Sequence, residues 1–122
     1  MANQFSQSAR KATSMSEVME GRKQIKTEEL IRFYPDGVTV NEFDMITTKE
    51  GSFPVFAFVE DEKVYAFGGY MMNKIVNGWI EMYEGDIEQA SHDLKMAGGC
   101  KIRFENSRTK DGKNIVLPYI LD

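Results

Sequence analysis

The stretch "FPVFAFVEDEKVYAF", Phe53 to Phe67, decides how the fold is read. Strand side chains alternate between faces, so Phe56 and Phe58 share one face and Tyr65 and Phe67 share one. A four-residue loop over residues 60–63 sets Phe58 opposite Tyr65 and Phe56 opposite Phe67, gathering all four rings on one side. Val55, Ala57, Val59, Val64 and Ala66 then make up the other side. Both faces are apolar, and what covers each separates core packing from a binding platform. The compact aliphatic set suits a tight interior and leaves the rings outside, but large rings are also the usual filling of a core. Both assignments stand open on sequence alone.

Outward from this hairpin, Val38 to Thr48 reads as one long strand whose apolar parity changes midway. Val38 and Val40 share a face, whereas Phe43 and Met45 share the opposite one. An extra residue near Asn41 or Glu42 reconciles them, because a bulge bends a strand so that it serves two sides of a small closed sheet. After Gly68 and Gly69 the apolar period lengthens to that of a helix, with Met72, Ile75, Val76, Trp79, Ile80 and Tyr83 in one stripe. Gly85 interrupts it. Asp86 can cap a second helical segment with Gln89 at the capping-box position, its apolar face continuing through Ile87, Ala90, Leu94 and Ala97. The last section, "CKIRFENSRTKDGKNIVLPYILD", reads as two strands around Asp111-Gly112, with Cys100, Ile102 and Phe104 on one face and Lys101, Arg103 and Glu105 on the other.

Upstream, residues 1–14 are polar and without periodicity, and residues 1–27 as a whole read as a flexible or partly helical N-terminal arm, with Ser14 and Glu17 at capping-box spacing. Thr27 can cap a short helix that must stop near "YPDG". Residues 28–122 then form one domain. The expected class is α+β, mainly β, with five strands and a helical segment between the third and fourth. That order matches the OB-fold, a partly open Greek-key barrel. An open antiparallel sheet with helices on one face fits the same string with less detail.

The chain has 122 residues, a 42% apolar and a 28% charged fraction, which suit one globular domain with one core. No apolar run is long enough to cross a bilayer and no signal peptide opens the chain, so a cytoplasmic location and no membrane partner are expected. Net charge is −4, but residues 1–27 carry five cations and two anions, 28–97 five and fourteen, and 98–122 five and three. Basic charge therefore sits at the two ends, and a positive face requires the ends to meet.

Chemistry-bearing residues are sparse. A single cysteine, Cys100, excludes an internal disulfide and a multi-thiolate metal site, and it reads as a small core residue. His92 falls on the polar side of a helix. The "GGY" turn lacks phosphate-loop spacing, and "EDEK" lacks the spaced ligands of a cation site. No enzyme, metal or cofactor is expected. Met71, Met72, Met82 and Met96 around Trp79 read first as core and second as an adaptable partner surface.

In an OB-fold the second and third strands and the loop between the fourth and fifth form the nucleic-acid site. Phe56, Phe58, Tyr65 and Phe67 then stack on bases, while Lys101, Arg103, Arg108, Lys110 and Lys113 contact phosphates. The competing reading is a packed core plus a solvated hairpin whose lysines keep a sheet edge from pairing. On "FPVFAF", "VYAFGG" and "KIRFENSRTKDGK" the chain resembles small phage- or prophage-encoded OB-fold single-stranded DNA-binding proteins. The resemblance implies a non-enzymatic binder of single-stranded DNA, or RNA, in the host cytoplasm. One departure is the terminus "LPYILD", which reads as a strand where bacterial single-stranded DNA-binding proteins usually carry a flexible acidic tail. The alternative is an acidic protein-interaction module, or a phage-encoded inhibitor, whose residues 28–93 engage a basic host protein. An open sheet edge also leaves room for a homo-oligomer.

Overall fold

The computed structural model describes residues 17–121. The arm expected over residues 1–14 and the Ser14 half of its capping box lie outside them. Element order is β1 (Lys23–Gln24), α1 (Thr27–Phe33), β2 (Val38–Thr48), β3 (Gly51–Phe58), β4 (Asp61–Phe67), α2 (Tyr70–Glu81), α3 (Ile87–Met96), β5 (Cys100–Arg108) and β6 (Asn114–Ile120). The strands form one curled half-barrel sheet in the order β1-β4-β3-β2-β5-β6. Six strands replace the expected five. The addition is β1, which runs parallel to β4 with Lys23 against Val64 and Gln24 against Tyr65. It was hidden because two residues carry no readable alternation.

The parity change in β2 is a bulge, as its sequence requires: the register with β3 shifts between Val40 and Glu42. Val40 and Phe43 therefore both point inward and are buried. The bend lets the first part of β2 pair with β5 (Val38 with Ile102, Val40 with Cys100) and the second part with β3. Next to the bulge, the Phe43 N–H donates to Ser91 Oγ of α3 at 3.0 Å, satisfying a donor the ladder leaves free. With β5 returning beside β2, the four strands β5-β2-β3-β4 lie in Greek-key order.

The hairpin register differs from the expected one. β3 and β4 are joined through Val59 and Glu60, Phe58 faces Asp61, Phe56 faces Ala66, and Val55 faces Phe67. An irregularity at Ala57 takes up the intervening β4 residues, so the four rings divide between the two faces. Phe56 and Phe58 lie inside with Val64 and Ala66; Tyr65 and Phe67 lie outside with Val55 and Ala57. Volume explains the split. The interior already holds Phe43, Phe56, Phe58 and Phe104, with Phe56 stacked on Phe104 at 5.7 Å and Tyr34 edge-on to Phe58 at 5.4 Å. Two more rings would overfill it, and small Val64 and Ala66 fit between the phenyls. The turn is fastened by Glu60, whose carboxylate accepts from Thr39 N–H at 2.7 Å and from Thr39 Oγ1 at 2.9 Å.

Helix α2 closes the interior with Met72, Val76 and Ile80, and Trp79 lies on Phe43 at 5.3 Å. Met82 and Met96 project into solvent and Met71 is part exposed, so only Met72 of the four methionines is core. α1 starts at Thr27 with Lys26 at its N-cap, not Thr27, and Leu30 enters the core. α3 is capped as expected, Asp86 accepting from the Gln89 N–H at 3.1 Å. Ala97 is exposed just beyond its end.

Gly99 carries the return from α3 into β5. At φ +89° it adopts a backbone that L side chains rarely take, and a Cβ there would lie 2.7 Å from Thr39 Cγ2 and 2.8 Å from the Val40 carbonyl oxygen. Gly112, at φ +81° in the β5–β6 loop, faces open space. Gly112→Ala is expected to cost roughly 1–2 kcal/mol for the left-handed backbone alone, whereas Gly99→Ala adds about 1–3 kcal/mol of overpacking. Urea unfolding of the two variants checks the order; equal losses would refute the close approach.

Candidate functional site

The outer face of β2, β3 and β4 carries a row of rings. Phe53 meets Phe67 edge-on at 5.3 Å, and Phe67 meets Tyr65 edge-on at 5.6 Å. Phe53 and Phe67 are half-buried, with ring surface open to solvent, whereas Tyr65 is buried. Val55, Ala57 and Ile46 form the apolar floor, and Val18 and Met19 from the turn at residues 17–21 sit on its Tyr65 end.

Arg22 clasps that turn to the sheet. Its Nη1 donates to the Val18 carbonyl at 2.8 Å and to Glu42 Oε2 at 3.1 Å, and its Nε donates to the Glu62 carbonyl at 2.9 Å. Lys95 Nζ, from α3, donates to Glu42 Oε1 at 2.7 Å. Glu42 thus bridges two cations with one negative charge, and the cluster keeps a net charge of +1. Burial opposes its ionisation, but hydrogen bonds and charge from Lys95 and Arg22 outweigh this and hold its carboxyl below the ordinary value.

The nine residues expected to bind nucleic acid are not brought into one groove. Phe56 and Phe58 are 0% and 1% exposed and offer no ring face to a base, so their role as stacking residues is corrected to core. Phe67 is available on the outer row and Tyr65 lies beneath Val18. Lys101 and Arg103 lie on the outer face of β5, with β2 and β3 between them and β4. Arg103 is engaged locally, paired with Glu105 at 3.0 Å and with its guanidinium 5.2 Å from the Tyr119 ring centre.

Arg108, Lys110 and Lys113 are exposed at the β5–β6 tip. The tip is held by Thr109, whose N–H donates to the Lys113 carbonyl and whose carbonyl accepts from the Gly112 N–H, both at 2.9 Å. Curling of the sheet brings its base, at Thr109 and Asn114, to the end of β4. There a groove of about 410 Å³ separates Asn114, Val116 and Pro118 from Gly68, Gly69, Tyr70 and Met71. A second, polar hollow lined by Glu28, Asn106, Ser107 and Arg108 shares Asn114 with it. Gly68 directly follows Phe67, so the basic tip flanks the same end of the sheet as the open part of the ring row.

Three residues escaped the sequence reading. Phe53 shares parity with Val55, a signal present in the quoted stretch. Tyr70 is 71% exposed with Lys74 Nζ 4.9 Å from its ring centre, and its place off the apolar stripe of α2 was the available clue. Lys49, exposed in the turn between β2 and β3, belongs to the loop that an OB-fold reading would inspect first. His92 is exposed, and Cys100 is half-buried against the core. Among the described residues no three His, Cys, Asp or Glu side chains gather as a metal site, and no helix is long and apolar enough to cross a membrane.

The depressed carboxyl of Glu42 predicts an acid-sensitive clasp. Its folded value lies below its unfolded one, so its stabilisation is complete above the ordinary value of 4.5 and is lost as pH falls through the depressed folded value. Thermal midpoints measured down this range should fall less steeply for Glu42→Gln than for the parent; parallel curves would show that Glu42 is not the group responsible.

Comparison with protein-family models, with curated proteins and with solved structures returns no match for this chain.

Proposed function

We propose that the protein is a non-enzymatic binder of single-stranded nucleic acid, DNA or RNA, through the outer face of β3 and β4. The observation that carries this reading is the row Phe53, Phe67, Tyr65, an aromatic platform on a sheet surface that the interior does not need. Topology supports it. The five longer strands, with the helices α2 and α3 between the third and fourth of them, follow the order of an OB-fold, whose second and third strands and fourth-to-fifth loop form the binding surface. β3, β4 and the Arg108–Lys113 tip occupy those positions.

Bases stack on Phe67 and Phe53, because any base has a π-face that a ring can accept. Phosphates meet Arg108, Lys110 and Lys113 at the tip. Three contacts instead of five lower the expected electrostatic share and leave a weak, salt-sensitive binder, in keeping with a net charge of −4. Neutralisation of Glu42 by Arg22 and Lys95 reduces the repulsion this face would otherwise present.

An acidic protein-interaction module is the second reading, and one feature favours it. Glu81, Glu84, Asp86 and Glu88 are all exposed around the α2–α3 connection, with no lysine or arginine between Lys74 and Lys95. A basic protein surface is the matching partner.

Fluorescence anisotropy of a labelled oligo-dT at low salt separates the two. Binding is expected, weakened roughly 5- to 100-fold by Phe67→Ala, the loss of one base stack. Paired Lys110→Glu and Lys113→Glu changes should abolish it. For the parent, log K against log salt should have a slope of about −2 for three phosphates. Absence of binding at low salt, where attraction is strongest, would transfer the case to the acidic ridge.

A further inference from the structure

The turn at residues 17–21 stands where the ring row would continue. Phe53 and Phe67 show open surface, but the next ring, Tyr65, is 8% exposed because Val18 and Met19 lie over it and over Val55 and Ala57. The rings form one row, each edge-on to the next at 5.3 and 5.6 Å, and its third member, Tyr65, is occupied by the chain itself. The occupant is a single turn that precedes β1, and its exposed Glu17 and Glu20 put negative charge beside the platform. Besides the packing of Val18 and Met19, Arg22 ties it down through hydrogen bonds to Val18, Glu42 and Glu62.

Resting on the nucleic-acid reading, we infer that this turn is a displaceable cover: it and a base compete for the face of Tyr65. Binding a longer strand lifts Val18 and Met19, breaks the contacts of Arg22 with Val18 and Glu42, and adds a third stacked base. Affinity is then reduced by the fraction of molecules that hold the cover closed. The sign of one substitution is diagnostic. Arg22→Gln removes a cation, which on electrostatic grounds alone weakens binding to a polyanion; release of the cover makes it bind more tightly.

Two measurements test this. The first is oligo-dT anisotropy for the parent, Arg22→Gln, Val18→Ser and Phe67→Ala. Arg22→Gln and Val18→Ser should each tighten binding roughly five- to tenfold, and the gain should vanish when Tyr65→Ala is added. The second needs no nucleic acid: in a Cys100→Ser background, Ala57→Cys places a thiol under the cover, and its reaction with an aromatic disulfide reagent is timed. Labelling faster than global unfolding, and faster again with Arg22→Gln, supports local opening. Labelling only at the global unfolding rate overturns the cover. If the parent binds and Phe67→Ala weakens it, yet the cover variants bind no more tightly, the competition is refuted while the nucleic-acid reading stands. If the thiol becomes accessible but no variant binds oligo-dT, the nucleic-acid reading fails and competition falls with it.

Discussion

The interior of this half-barrel has room for one set of large rings. Phe43, Phe56, Phe58 and Phe104 take that room, joined by Tyr34 from outside the sheet and Trp79 from α2. Interiors pack near the density of organic crystals, so a further pair of aromatic side chains is not absorbed by slack. The bulge at Val40–Glu42 and the irregularity at Ala57 both follow from this limit. Each adjusts side-chain parity so that the strand delivers the correct volume inward. Tyr65 and Phe67 are sent outward, and with Phe53 they make a surface whose aromatic character is a by-product of core packing and the basis of the proposed function.

An apolar outer face on a small sheet is unstable on its own terms. Val55 and Ala57 are fully buried, packed with Tyr65, Phe67 and Ile46 of the sheet and with Val18 and Met19 of the turn at residues 17–21. That cover is held by a charged clasp whose members come from three separate places: Arg22 before β1, Glu42 at the bulge and Lys95 at the end of α3. The bulge that turns β2 toward β5 also turns Glu42 outward to receive both cations. One backbone irregularity thus serves the core, the Greek-key return and the outer surface together.

Much of this arrangement was legible in the chain. Opposite parities of Val38/Val40 and Phe43/Met45 located the bulge, the 3.6-residue period located α2, and Asp86 with Gln89 located the start of α3. The α+β class followed from those segments. β1 escaped because a two-residue strand has no period. The ring positions escaped for a different reason: parity in a hairpin is set by the turn and by any bulge, and Ala57 gives no local sign of one. A one-residue slip exchanges every side chain between faces, so the error moved two of four rings at once. Lys101 and Arg103 were placed on the correct face of β5, but sequence spacing could not say that two strands separate them from β4.

The same limit on interior volume bears on why the outer rings would be kept. Phe67 is contacted by Phe53 on one side and Tyr65 on the other, yet no described residue buries it fully. If these rings served only to seal the back of the sheet, aliphatic side chains on β4 would do so under a single short turn, without leaving aromatic surface in water. On the proposed reading, aromatic surface left partly open at the sheet end that the basic loop also reaches suits a flat, negatively flanked ligand. On the same reading the cover over Tyr65 has a physical rationale: it shields the ring row where the chain can reach, and the proposed strand lands first at the uncovered end, Phe53 and Phe67.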